Sequence, residues 1–243
     1  MGFEEIKEKI IVFVNEELLT MEPWILNASW EEKLPKLNAL RDKVKAQGLW
    51  LPQIPIEYGG LGLTNAQHGE VIEVLGKSPY GHYCFNCQAP DAGNMEILIE
   101  FGTDQQKERY LTPLLNGAIR SCFAMTEPDF AGSNPVQMGT VATKEKGNYR
   151  INGHKWFTSS FDGASFAIVM LVTQPEVENP HKKASQLIVP VATEGIEFIR
   201  NVSIMGHSGS GWESHAEIKF HDVKVPESNV LGADGDGFSI AQK

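Results

Sequence analysis

The chain is predicted to be an α+β protein, an N-terminal all-α helical domain followed by a β-barrel, on three observations. Capping signatures of the form S/T-x-x-E/Q at Ser29–Glu32, Thr64–Gln67 and Thr103–Gln106 each precede helical periodicity, and all lie before residue 118. From Ser121 the pattern changes to short apolar runs separated by turn residues, which predicts a barrel or sandwich. After Gly232 the glycine-rich stretch Gly232-Ala-Asp-Gly-Asp-Gly237 leads into Phe238-Ser-Ile-Ala, the opening turns of another helix. The expected division is therefore 1–120 helical, 121–232 barrel, and 233–243 the start of a further helical segment.

Each element has its own local reason. Ile6, Ile10, Val14 and Leu18 recur at helical spacing, so the first helix should bury that stripe. The segment from Leu51 to Leu63 holds two prolines and three glycines, which forbid a continuous helix, while its interleaved Leu, Ile and Tyr predict a packed loop. Asp91 is placed as the cap of the helix that follows it. In the second half, Lys146-Gly147-Asn148 marks a turn and Asn152-Gly153 a hairpin between two strands. Further strands are expected at 167–172, 185–191, 196–200, 216–220 and 222–225.

Composition narrows the function classes. Of 243 residues 42% are hydrophobic, enough for a sizeable core. Lys and Arg number 21 against 31 Asp and Glu, a net charge of −10 without a basic cluster, so nucleic acid is not an expected partner. The longest apolar runs, Ile10–Val14 and Ala164–Val172, fall far short of the roughly 20 residues a membrane helix needs. With a start that lacks a signal-peptide pattern and only three cysteines, a reducing, cytoplasmic location is expected. Cys84-Phe-Asn-Cys87 has metal-ligand spacing but no second pair, so buried structural thiols are the expectation. None of the seven histidines forms an H-x-x-x-H pair, and no metal site is predicted.

Two segments carry the chemistry. Cys122-Phe-Ala-Met-Thr-Glu-Pro-Asp-Phe-Ala-Gly-Ser133 and Gly153-His-Lys-Trp-Phe-Thr158 offer hydroxyls at Thr126 and Thr158 and an aromatic face at Trp156. They also offer a small-residue turn, Ala131-Gly132-Ser133, that a ligand can approach closely. Taken alone, Trp156 would be a core aromatic and the threonines ordinary strand residues. Glu127 and Asp129, beside a proline, read as a solvated loop rather than as a general base.

Together these segments resemble the flavin-binding signature of the acyl-CoA dehydrogenases, and the likeness extends over the chain. Glu57-Tyr-Gly-Gly-Leu-Gly62, the run from Phe101 to Leu115, and Asp222-Val-Lys-Val-Pro226 are similar to landmarks of that family in the same order. Phe85-Asn-Cys-Gln-Ala-Pro-Asp-Ala-Gly-Asn-Met95 and Ile151-Asn-Gly-His-Lys-Trp156 resemble the branch of family members ten and eleven. The resemblance implies FAD as cofactor, an acyl-CoA substrate, α,β-desaturation with hydride transfer to flavin N5, electron-transfer flavoprotein as acceptor, and a homo-oligomer. It assigns Phe123, Met125, Thr126, Ser133, Trp156, Phe157 and Thr158 to the cofactor, and Ala131, Gly132 and Ser133 to the substrate. It implies a C-terminal four-helix domain, of which 233–243 would be only the truncated start, and places the catalytic carboxylate there, so no residue here is expected to be catalytic and the chain alone is expected to be inactive. Asp129-Phe130 adds one residue to the family pattern, Asn134 stands where Asp is usual, and Ser159-Ser160 replaces Asn-Gly. A flavoprotein oxidase on the same scaffold and a non-catalytic flavin- or acyl-CoA-binding module are the alternative readings.

Overall fold

The computed structural model describes residues 1–243, in two compact units, Met1–Ala92 and Gly93–Lys243. In the first unit, helix Phe3–Phe13 buries Ile6, Ile10 and Phe13 and runs on through a π turn, Val14–Leu18, that buries Val14 and Leu18. The expected stripe is therefore the core face. Helices Trp30–Ala46 and Asn65–Leu75 start at full capping boxes, Ser29 with Glu32 and Thr64 with Gln67, each pair exchanging side-chain and backbone bonds. The loop after Leu51 is packed, with Leu51 and Ile54 buried and Gly60 so close to the Ile54 carbonyl that a Cβ would stand 2.0 Å from its oxygen. Helix Asp91–Phe101 begins at Asp91 itself, so this residue lies in the first turn rather than before it, and the Gln88 amide donates to its carboxylate at 2.7 Å.

Cys84 and Cys87 are buried, and burial pushes both thiols up to about 12. At pH 8 only about one in 10⁴ would be thiolate. Iodoacetamide labelling of these two in the native protein is expected to be about a thousandfold slower than in denaturant, read by mass spectrometry. Comparable rates would show that the segment opens readily.

The second unit is built on one eight-stranded sheet in the order β6-β7-β3-β2-β4-β5-β8, with β1 pairing parallel to β4. The strands are β1 Ser121–Ala124, β2 Val141–Glu145, β3 Asn148–Ser159, β4 Phe166–Val172, β5 Ala184–Pro190, β6 Ile196–Asn201, β7 His215–Pro226 and β8 Val230–Leu231. Side chains from all of them meet in or against one apolar cluster, among them Cys122, Ala142, Ile151, Val169, Leu187 and Ile218, so the sheet curls barrel-fashion around its own interior. β4 is buried on both faces, because the alternate set Phe166, Ile168 and Met170 is covered as well. Tyr110 supplies part of that cover, its ring 4.9 Å from that of Phe166. The capping box Thr103–Gln106 holds as expected, and the Gln106 amide also donates to the carbonyls of Ser228 and Val230 at 2.8 and 2.9 Å. These contacts explain why the helical residues after Gly93 group with the sheet.

Two strand expectations are corrected. Asn152-Gly153 is no hairpin: β3 runs straight through it, and the turn is the two-residue Lys146-Gly147, both with positive φ (50° and 80°), between the paired Glu145 and Asn148. The expected strands 216–220 and 222–225 are one strand, β7, joined through a bulge at Asp222. Asn152 fills that bulge, accepting from the Asp222 N–H and donating to its carboxylate, both at 3.0 Å. The helix start after Gly232 forms as expected and is packed: Ile240 is buried, and the Gln186 amide donates to the Gly237 carbonyl at 3.0 Å. No helix is long and apolar enough to cross a membrane.

Candidate functional site

The site forms where the chain leaves β1 and meets the end of β3. In β3, Lys155 pairs with Ile218 and Thr158 with Ala216, so two residues, Trp156 and Phe157, oppose the single Glu217. This is a β-bulge, and Phe157 takes the positive φ, 49°. Residues three apart on a regular strand face opposite ways. The bulge removes that constraint and lets Lys155 and Thr158 both be buried, while Trp156 is half-buried and Phe157 exposed. The two rings lie edge to face at 4.8 Å.

The segment after β1 is latched to this bulge. The Trp156 N–H donates to the Thr126 carbonyl at 3.1 Å, and the Thr126 hydroxyl donates to the Trp156 carbonyl at 2.8 Å. Next door, the Lys155 ammonium donates to the Met125 carbonyl at 2.7 Å and to a Glu127 carboxylate oxygen at 2.8 Å. Glu127 in turn accepts from the backbone N–H of Gly139 at 2.6 Å and of Thr140 at 2.9 Å. Burial alone would raise the Glu127 carboxyl, but the Lys155 charge and these donors hold it below the usual carboxylate value. Burial pushes the Lys155 ammonium down to about 8, against the pull of Glu127, so both are charged at neutral pH. The expectation of a solvated Glu127 is thus overturned, because its charge has a buried partner that lies 28 residues away.

The predicted residues fall into groups. Met125, Thr126, Ala131 and Gly132 line one small, open pocket together with Glu127 and Phe130. Gly132 lies against Thr126, where a Cβ would stand 3.3 Å from the Thr126 methyl. Ser133 is exposed and, like Phe123, Trp156, Phe157 and Thr158, is not on that cavity's wall. The buried Thr158 hydroxyl has no hydrogen-bond partner within the protein, and the Met125 and Thr126 N–H groups make no bond to another backbone carbonyl. Unbonded donors beside an aromatic face suit a flat heteroaromatic ring with polar edges, so these residues fit a flavin. Beyond the bulge, Glu217 accepts from Arg200 at 2.8 Å and lies 2.9 Å from the His154 ring. No group of three His, Cys, Asp or Glu side chains is placed to hold a metal.

Lys155 and Glu127 are the residues that sequence reasoning missed. A signal was present for Lys155: Tyr149 and Ile151 set a period-two inward face, and residue 155 continues it. Glu127 had no such mark, since its partner comes from another strand.

A helical N-terminal part and a curled eight-stranded sheet, with the post-β1 segment latched to a bulged β3, make up the scaffold on which the comparisons with known proteins bear. The family models agree: residues 3–118 match the acyl-CoA dehydrogenase N-terminal domain and residues 122–223 its middle domain. The chain belongs to the acyl-CoA dehydrogenase family. It is 40% identical to acyl-CoA dehydrogenase family member 10 of Mus musculus over 97% of this chain and 23% of that protein. It is 36% identical to family member 11 of Pongo abelii over 98% of this chain and 32% of that one. It therefore spans less than a third of these relatives' lengths. A Mycobacterium abscessus structure carrying the acyl-CoA dehydrogenase name superposes with a TM-score of 0.91 at 33% identity, covering 99% of this chain and 62% of that one. The structure of PigA with FAD and proline superposes with a TM-score of 0.81 at 25% identity, covering 99% and 60%.

Proposed function

We propose that this chain forms the flavin-holding part of an FAD-dependent acyl-CoA dehydrogenase, in which an acyl-CoA thioester is desaturated between its α and β carbons. The observation that carries this reading is the buried, unpartnered Thr158 hydroxyl beside the Thr126–Trp156 latch. Family membership and the presence of FAD in the PigA structure support it. When bound, FAD would supply the acceptor for a hydride leaving the β-carbon.

The chain's own residues bind and orient. The Thr126 hydroxyl already donates to Trp156, so the contact at Thr126 falls to its backbone N–H, with that of Met125 beside it. Thr158 offers its hydroxyl, Trp156 and Phe157 offer ring surface, and Phe123 is the half-buried residue of β1 two positions before Met125. Ala131, Gly132 and Ser133, free of bulky side chains, allow a phosphate or thioester to approach the backbone. No residue of this chain is assigned proton abstraction. Electron-transfer flavoprotein as acceptor, assembly as a homo-oligomer, and a functional division near residue 120 belong to the same proposal.

Thr158→Val tests it, because valine keeps the shape and removes the hydroxyl. Deleting an orphaned buried hydroxyl should raise stability by up to about 1 kcal/mol. Losing its bond to the ring should weaken FAD binding about tenfold. Thermal denaturation without FAD and titration by flavin fluorescence read the two effects separately. Unchanged FAD affinity would refute the placement of Thr158.

A further inference from the structure

The loop from Glu127 to Thr140 leaves the sheet and returns to it beside its own starting point. Its interior is a series of tight turns, with Asn134 N–H donating to Ala131 at 2.9 Å and Gln137 N–H to Asn134 at 3.1 Å. What joins its start to its end is the Glu127 carboxylate, through the N–H groups of Gly139 and Thr140. Thr140 is itself anchored, its carbonyl accepting from the Val172 N–H on β4 at 2.9 Å. The ammonium that neutralises Glu127 also holds the Met125 carbonyl.

One buried charge pair therefore touches both the backbone that faces the flavin and the loop that carries Ala131, Gly132 and Ser133. Stability alone gives no reason for it, since a buried ion pair can be exchanged for apolar residues at little or no loss. We propose that the Glu127–Lys155 pair is the positioning element of this site, fixing the Met125-Thr126 backbone and closing the 127–140 loop as one unit, so that cofactor binding and loop closure are coupled. Neither residue need touch the reacting atoms. The coupling to cofactor rests on the flavin reading above, whereas the closing of the loop does not.

The test uses Glu127→Gln and the double variant Glu127→Gln/Lys155→Met, with FAD alone as probe and chymotrypsin cleavage at the exposed Phe130 as the reading of loop closure. The single variant leaves a buried charge unpaired and should lower Tm by roughly 10 °C. The double variant removes both charges and should recover most of that loss. If the pair only stabilised the fold, the double variant would regain wild-type behaviour throughout. The positioning role predicts instead that both variants bind FAD about tenfold more weakly and are cleaved several-fold faster. It also predicts that FAD slows cleavage in the wild type and not in them. A double variant with wild-type Tm, FAD affinity and cleavage rate would overturn the proposal. If the wild type itself bound no FAD, the flavin reading would fall, and the loop-closing role would stand or fall on the cleavage rates. Should the double variant not fold, Glu127→Asp carries the same test, because it keeps the charge but falls one methylene short of the two N–H groups.

Discussion

Replacing Phe166 with alanine is expected to lower the stability of the second unit by about 3–5 kcal/mol, which would move its melting temperature by roughly 10 °C or more. Phe166 is fully buried, opens β4, and faces away from the barrel interior toward Tyr110. Its ring is part of what ties the segment Asp104–Leu115 to the sheet, so the damage should be directional as well as large. Amide exchange should accelerate in that segment more than in β3 or β7. Phe166→Leu, which refills most of the volume, should recover more than half the loss. An even loss of protection across the sheet, with the helical segment no worse affected than the rest, would show that Phe166 is only a filler.

Gly153→Ala should destabilise by about 3 kcal/mol, the upper end of what one added methyl does in a packed interior. A Cβ at Gly153 would stand 2.3 Å from the Thr140 hydroxyl oxygen and 2.6 Å from the Thr140 Cα. The hydroxyl can be removed, but the backbone atom cannot. Thr140→Ala in the same chain should therefore restore only part of the loss, a non-additivity that a double-mutant cycle by thermal denaturation measures. Because the Thr140 N–H binds the Glu127 carboxylate, the displaced backbone should also loosen the loop, read as faster exchange at Thr140. Full rescue by Thr140→Ala would show that the backbone has room to move.

Local patterns were legible wherever a short stretch contains its own physical reason. The three capping boxes, the stripe Ile6-Ile10-Val14-Leu18, the packed loop after Leu51, the turn at Lys146-Gly147 and the buried thiols of Cys84 and Cys87 each follow from neighbours within a few positions. The α+β class was legible in the change from capping boxes to short apolar runs, and the pairing of the Thr126 segment with the Trp156 segment by likeness to a family. The structure brings those segments together through Thr126 and Trp156.

What misled was a local signal overruled from a distance. Asn152-Gly153 has the composition of a hairpin turn, yet Asn152 serves to fill a bulge in β7, a strand some 70 residues further along. Glu127 looked like a loop carboxylate because Lys155 is invisible from its own neighbourhood. Composition, helix starts, tight turns and family are properties of the sequence by itself, since they depend on bonds within a turn or two of chain. Only the tertiary structure decided that Lys155 and Thr158 share the buried side of a bulged strand, that Glu127 closes a loop, and that Phe166 is covered by Tyr110. Those outcomes depend on desolvated contacts between segments far apart in the chain, whose energies arise only once the sheet has curled and water has been excluded.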